Sequence, residues 1–419
     1  MKTSLLLVLS LAAMLAPSQA ADSKVAASAV NALGVDLYRA RTSGDGNLLL
    51  SPYSIQNALA MTYTGADGDT RAEMQRALHF PADEDALDGS FGALAQELAD
   101  AAKKSAEAVK HSKEFGGPST PIEYSLANRL FAEKEYEFRA PFLDRVKDHY
   151  AAPLEKVDYK ANPEKVRAAI NRWVEEQTKS KIRELIPAGV IDRETRLTLV
   201  NALYLRAPWS AEFSEKLTKK ERFFAHGREG VEVPMMTGKS SCGYAKRDGF
   251  QIVTRSYHGG DLQFVIVVPE SPGGLADIEK TLTPKLLEDC AHLPMQDVFL
   301  HLPKFRLEPP TVPLGDDLKS LGMKTAFDEP RGSANFDRMA PRKPNDYLFI
   351  SAVLHKTFLA LDEKGTEAAA ATAAVVARAG AMMPKAPPME VRVDRPFFFA
   401  IQHVPSGACL FLGRVTDPR

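Results

Sequence analysis

The sequence predicts a single intertwined α+β domain, and three observations point there. Helical patterning dominates the N-terminal part, strand-length apolar runs dominate the C-terminal part, and no linker-like stretch separates the two. With 419 residues, 45% of them hydrophobic, the chain can bury one large core or two ordinary ones. Lys plus Arg (53) balance Asp plus Glu (54), and the pI is near 6.8, so nothing in the bulk charge points to a nucleic acid or an anionic membrane as partner.

Residues 22–41 read as a helix, with Val30, Leu33, Leu37 and Tyr38 in helical spacing. Asn47 to Ile55 then runs strand, turn, helix, and Pro52 fits a first helical turn. Helices are expected over 54–64 and 70–78, parted by the turn Gly65-Ala66-Asp67-Gly68. Residues 91–114 are rich in Ala, Lys and Glu, a strong helix composition that Gly116-Gly117-Pro118 stops. Glu123 to Phe131 suits a strand, and 163–178 an amphipathic helix carrying Ile170, Trp173 and Val174. Leu197 to Leu205 is an apolar run of strand length, buried on both faces; Gln263–Pro269 and Val298–Pro303 read similarly. After residue 345 come a strand (347–361), an alanine-rich stretch (366–377), a proline-rich stretch (384–388) and two strands (390–402 and 408–415).

The first twenty residues read as a secretory signal. Lys2 supplies the positive start, Leu5 to Leu15 is an apolar run too short to span a bilayer, and Ser18-Gln19-Ala20 offers a small-x-small cleavage site. The expected mature chain starts near Ala21 and is exported to an extracellular or periplasmic space. Three cysteines, Cys242, Cys290 and Cys409, are too few and scattered for a disulfide framework or a metal site. A Cys242–Cys290 bridge is compatible with an oxidising compartment, with no geometry behind it.

The informative segment is Glu363-Lys364-Gly365-Thr366-Glu367-Ala368-Ala369-Ala370-Ala371-Thr372-Ala373-Ala374, continuing through Val375-Val376-Ala377-Arg378-Ala379-Gly380. By composition alone it is a surface helix or a linker. Read as a strand, one face holds Thr366, Ala368, Ala370 and Thr372, all small and uncharged, and Glu367 falls on the other. A buried charge there would cost several kcal/mol.

Order settles the context. Glu363 to Glu367 with its four alanines, Val393-Asp394-Arg395-Pro396-Phe397-Phe398-Phe399 downstream, and Asn47 to Ile55 with Gly65-Ala66 upstream are three of six ordered blocks. Leu199-Val200-Asn201-Ala202-Leu203-Tyr204-Leu205 followed by Trp209, then Val233-Pro234-Met235-Met236, then Leu302-Pro303-Lys304-Phe305 complete the set. Over roughly residues 30–417 the chain thereby resembles the serpin family of serine protease inhibitors. The resemblance implies helices packed around three β-sheets with an exposed reactive-centre loop. It also implies a monomeric inhibitor that is not an enzyme, needs no cofactor or metal, and traps a serine protease in a 1:1 covalent complex, a cysteine protease being conceivable. A non-inhibitory serpin acting as carrier, storage protein or chaperone is the alternative.

The same resemblance assigns residues. The hinge is Gly365, Thr366, Glu367, Ala368, Ala369, Ala370 and Ala371. Ser51, Ser54, Asn201 and His355 match a cluster that controls sheet opening, and Trp209 matches a tryptophan where the loop goes in. The reactive bond is Arg378-Ala379 if the loop is one residue shorter than usual, which suits the acidic pocket of a trypsin-like protease. At the usual spacing it is Ala379-Gly380, which suits an elastase-like one. Met382 or Met383 is a third choice, because the segment before Pro396 is longer than the family's.

Catalytic signals are missing: there is no Gly-x-Ser-x-Gly, no His-Glu-x-x-His and no phosphate-binding loop. His258-Gly259-Gly260 reads as a turn, and Asp67-Gly68-Asp69 as a helix connector that lacks the rest of a calcium loop. Lys103, Lys104, Lys110, His111 and Lys113 form a basic patch conceivable as a weak polyanion site, but Glu97, Asp100, Glu107 and Glu114 dilute it, and a solvated helix face is preferred.

Overall fold

A computed structural model of the chain describes residues 22–112, 118, 120–150, 154–367 and 387–419. The helices follow their sequence signals. Helix α1 (Lys24–Ala40) leads into strand β1 (Leu48–Leu50) and α2 (Pro52–Tyr63). Ser51 caps α2 by accepting from the Ser54 amide at 3.3 Å, and Pro52 fills the first turn, where its missing N–H costs nothing. Every residue of α2 is buried, so the helix is a core element and not a surface one. Helix α3 (Gly68–Ala77) is capped by Asp67, which places the Asp67-Gly68-Asp69 turn as a helix connector. Helix α4 (Glu84–Ser112) begins seven residues before the alanine-rich stretch that announced it. Strand β2 (Glu123–Glu133), helix α5 (Ala140–Tyr150) and strand β3 (Glu155–Val157) follow. Helix α6 (Pro163–Gln177) then presents Val166, Ile170 and Val174 to a second, smaller apolar cluster.

Strand β4 (Leu197–Pro208) is the organising element of one eight-stranded sheet. Its odd-numbered residues Leu197, Leu199, Leu203, Leu205 and Ala207 enter the main core, and its even-numbered Val200 and Ala202 enter the cluster under α6. Only such a doubly covered strand can carry so unbroken an apolar run. The chain then builds β5 (Lys219–Ala225), the 19-residue β6 (Glu229–Arg247), β7 (Phe250–Ser256) and β8 (Leu262–Pro269). Short helices α7 (Leu275–Thr281) and α8 (Pro284–Asp289) precede β9 (Met295–Pro303), β10 (Phe305–Leu307) and β11 (Val312–Pro313). Helix α9 (Gly315–Ser320) leads to β12 (Ala352–Thr357), β13 (Leu359–Asp362) and β14 (Gly365–Thr366), and the chain ends in β15 (Met389–Arg392), β16 (Phe397–His403) and β17 (Cys409–Val415).

Strands β1, β17, β16, β8, β7, β6, β9 and β15 form the second network, with β5 also on β6. β6 pairs with β5 along its first residues and with β7 along its last, so it belongs to two sheets, and the described residues form three in all. Among the described residues no helix is long and apolar enough to cross a membrane.

Three expectations need correction. The strand expected over 347–361 starts only at Ala352 and breaks at Phe358, where pairing passes from β4 to the β10/β14 side. The strand expected over 390–402 is two strands, because the chain leaves β9 at Val393–Pro396 to join β8 and β17. Cys242 and Cys290 form no bridge; both are buried free thiols, as is Cys409.

Candidate functional site

The two edges of β4 differ. Along one, β2 pairs antiparallel without a break from Glu123↔Arg206 to Ala132↔Leu197. Along the other, β12 pairs in parallel only from Ala352↔Thr198 to Thr357↔Leu203, and β14 then takes the edge antiparallel through Thr366↔Ala207 and Gly365↔Pro208. A seam therefore runs beside β4, closed at one end and held open at the other by Gly365 and Thr366, where the alanine-rich stretch begins. These two are already inside the sheet rather than at the base of an exposed loop.

Local chemistry fixes that insertion. Asp362 turns the chain by accepting from the Lys364 and Gly365 amides at 2.8 and 3.3 Å. Gly365 has φ +148°, and a Cβ there would lie 2.1 Å from the Ala207 carbonyl oxygen, so only glycine fits. Thr366 is fully buried, its hydroxyl 2.5 Å from the Tyr257 hydroxyl. At Glu367 the chain turns out, with φ 46°; its amide donates to the Ala360 carbonyl at 2.7 Å, and its carboxylate pairs with Lys181 at 2.5 Å.

Around the open end lies a polar and aromatic cluster. Trp209 stacks flat on Tyr257 with centroids 4.6 Å apart and donates its indole N–H to the Asp362 carbonyl at 3.0 Å. The Arg255 guanidinium lies over Phe213 at 4.0 Å and over Trp209 at 5.4 Å. Glu363 pairs with Lys304 at 2.7 Å and accepts from the Thr218 hydroxyl at 2.7 Å. Burial alone would push its carboxyl up, but the Lys304 ammonium and Thr218 hydroxyl outweigh it and hold the pKa below the usual value. Trp209 is thus the floor on which the hinge begins.

Under the closed end lies a second cluster, entirely buried. The Ser51 amide donates to His355 Nε2 at 3.0 Å, which leaves Nδ1 carrying the proton and donating to Asn201 Oδ1 at 2.5 Å. The Ser51 hydroxyl donates to the Leu410 carbonyl at 2.7 Å, and the Ser54 hydroxyl to Asn128 Oδ1 at 2.9 Å. Burial lowers the His355 pKa to about 3, so the imidazole is neutral. Asn201 and His355 face each other across the β4–β12 pairing, so their hydrogen bond ties the seam shut. Asn201 Nδ2 is buried with no hydrogen-bond partner among the described residues.

The structure brings together Ser51, Ser54, Asn201 and His355 at one end of the seam, and Gly365, Thr366 and Trp209 at the other. Ala368, Ala369, Ala370, Ala371, Arg378, Ala379, Gly380, Met382 and Met383 lie outside the described residues, as do Lys113 and the first twenty residues. Sequence reasoning missed Asn128, Thr218, Tyr257, Arg255 and the role of Lys304. Lys304 stood within a recognised block; the rest reach the seam from distant parts of the chain and carry no local signal. Of the basic patch, Lys103 pairs with Asp100 at 2.9 Å and Lys104 with Asp261 at 2.6 Å. His258 is half-buried, which lowers its pKa. Among the described residues no group of three or more His, Cys, Asp or Glu could hold a metal.

The family model described as Serpin (serine protease inhibitor) matches residues 28–418. The chain belongs to the serpin family. Curated serpin relatives include the leukocyte elastase inhibitors of Equus caballus and Sus scrofa, 36% and 38% identical over 395 residues, each match covering 92% of this chain and 97% of the relative. The crystal structure of Serpin48 from the insect Tenebrio molitor, a highly specific serpin, shares its fold with a TM-score of 0.76 at 29% identity, over 93% of this chain and 97% of that one.

Proposed function

We propose that this serpin is an exported, single-use inhibitor of a serine protease, cut in the loop that follows Gly365 and completing its own sheet with the cut strand. The observation that carries this reading is the seam, already primed by Gly365 and Thr366 in antiparallel register with β4. Continued down β4, that register would bring Thr372 opposite Asn201 and Val376 opposite Leu197. Directly paired residues share a face, so Thr366, Ala368, Ala370, Thr372, Ala374 and Val376 would enter the main core. All are small or apolar. Thr372 would arrive between Asn201 and His355, breaking their bond and offering a hydroxyl to the unpartnered Asn201 Nδ2.

The chemistry is a kinetic race. The protease serine attacks the bait carbonyl and forms an acyl-enzyme, expelling the amine of the following residue. Before water hydrolyses that ester, the acylated segment enters the seam and carries the protease with it. Gly365 to Arg378 is thirteen residues, on the order of 43 Å of strand. A protease displaced that far and pressed against the inhibitor loses the oxyanion-hole geometry that deacylation needs. Alanine is a poor strand former, so the drive comes from completing the hydrogen-bond ladder. The residues before Ala21 act as the export signal, leaving the serpin domain over about 30–417.

The bait is Arg378-Ala379, which directs the inhibitor to trypsin-like enzymes. A second reading, Ala379-Gly380 with an elastase-like target, draws support from the names of the leukocyte elastase inhibitors. Incubation with trypsin and elastase, followed by SDS gels and N-terminal sequencing of the released peptide, separates the two. An SDS-resistant adduct with trypsin, and its loss in Arg378→Ala, are expected. Cleavage by both enzymes without any adduct would overturn inhibition altogether.

A further inference from the structure

The loop that leads into β12 forms an open surface depression of about 540 Å³ lined by Arg331, Gly332, Arg342, Lys343, Asn345 and Tyr347, with no carboxylate among the described residues on its wall. In a chain whose formal net charge is −1, three cations around one depression are a local concentration. Arg331 and Lys343 make no ion pair with the described residues, whereas most cations elsewhere on this surface do. We propose that this depression is a binding site for a tetrahedral oxyanion, a sulfate or phosphate group carried by a small ester.

Arg342, on its wall, is held in place before any ligand arrives. Arg342 donates to the Gly332 carbonyl at 2.6 Å and to the Ala334 carbonyl at 3.2 Å, and its guanidinium lies 4.2 Å over the Tyr347 ring. Two of its five N–H hydrogens are used, and three remain for a ligand. Tyr347 is fixed in turn by donating its hydroxyl to Asp328 Oδ2 at 3.0 Å, and Asp328 Oδ1 accepts from the Gly332 and Ala334 amides at 2.8 and 3.2 Å. One carboxylate thus organises both the carbonyls and the ring that aim the guanidinium.

The acids nearby are committed elsewhere. Asp328 is used as just described, Glu329 pairs with Lys319 at 2.7 Å, and Asp346 accepts from Tyr136 at 2.7 Å while facing Arg196 and Lys160. Glu329 and Asp346 are thereby balanced by cations of their own, and Asp328, bonded to neutral donors, acts on the site by holding Tyr347 and the Gly332–Ala334 turn under Arg342. A guanidinium in fixed orientation with a flexible ammonium and a second guanidinium beside it matches the geometry of an oxyanion, which accepts several charge-assisted bonds at once. A sulfate or phosphate group offers oxygens in several directions to the three cations that line the depression, whereas a carboxylate offers two on one side.

The test is calorimetric titration of the full chain at low salt with two probes, inorganic pyrophosphate and sucrose octasulfate. Binding of either supports the site, and the one that binds more tightly identifies the source of the oxyanion. The double variant Arg331→Ser/Lys343→Ser is expected to bind the better probe about a hundredfold more weakly, roughly tenfold for each charge-assisted contact removed. Both residues are exposed and their side chains bond nothing described, so the thermal melt of the variant should match the parent. Lys103→Ser/Lys104→Ser on α4 should leave binding unchanged. The proposal is overturned if neither probe binds, if the Arg331→Ser/Lys343→Ser variant binds like the parent, or if binding disappears only in the α4 variant.

Discussion

The strands β8, β16 and β17 and the seam beside β4 are both buried, yet they are held by different means. β16 pairs antiparallel with neighbours on both edges, and Phe397, Phe398, Phe399, Ala400 and Ile401 are wholly covered. Its cohesion is ladders on both edges, broken only by a register shift at Ile401/Gln402, and apolar area worth roughly 25 cal/mol per Å² buried. The seam is a short parallel pairing tied by Asn201 and His355, with an unpartnered donor beneath it and a foreign strand started at one end. Hydrogen bonds can be exchanged for equivalent ones at little net cost; a packed phenylalanine cluster cannot. The comparison teaches where the molecule is finished and where it is built to part.

The sharpest way to break that contrast is Thr366→Arg. The side chain at 366 is wholly buried against Tyr257, and an unpaired guanidinium there costs about 3 kcal/mol or more. That cost expels β14 from its seat in the uncut molecule, and regaining the seat against it during insertion slows the step on the order of a hundredfold. The variant should be cut as a substrate by proteases that the parent captures; unchanged stoichiometry of inhibition would refute the seam as the route of insertion.

Gly365→Val acts on the same end through the backbone. Its Cβ collides with the Ala207 carbonyl, and φ +148° is strained for any side chain, so β14 should leave the sheet at a loss of about 3 kcal/mol. Urea unfolding measures the loss, and hydrogen exchange should show faster exchange at Ala207 and Trp209 but not in β16. Equal change in both regions would erase the distinction drawn between them.

The smallest effect is read through pH. Burial lowers the pKa of His355 to about 3 and that of His403 to about 4, from 6.5. Each imidazole is neutral when folded and protonates more readily when unfolded. Its contribution is therefore complete above about pH 6.5 and declines as the pH falls toward the folded value, by about 2 kcal/mol between about pH 7 and about pH 5. His355→Gln should remove one such share and leave that of His403. A pH profile identical to the parent's would mean that His355 is not held neutral in the seam.

Much of the fold was legible because its signals are local. The run Leu197–Leu205 announced a strand covered on both faces, and Pro52 marked a helix start. Helix α5 went unread although Phe142, Val146 and Tyr150 form its buried stripe, since an 11-residue segment offers only three such positions. The site was legible only through ordered motifs. That Tyr257 receives Thr366, or that Asn128 supports Ser54, depends on pairings across 109 and 74 residues that no periodicity records. Nor could alternation alone show Gly365 and Thr366 already seated, since that is decided by the carbonyl of Ala207 and the ring beneath it.

The three free sulfhydryls have a practical corollary. Cys290 and Cys409 are pushed up by burial, Cys290 to about 12, and all three cysteines are shielded from solvent. Reductants have nothing to cleave and alkylating reagents nothing to reach while the chain stays closed. Cys242 lies 3.2 Å from the Ser240 hydroxyl that Arg255 grips, directly behind the aromatic floor of the hinge. Its labelling rate is a built-in stopwatch for breathing of that wall, readable by mass without adding a probe.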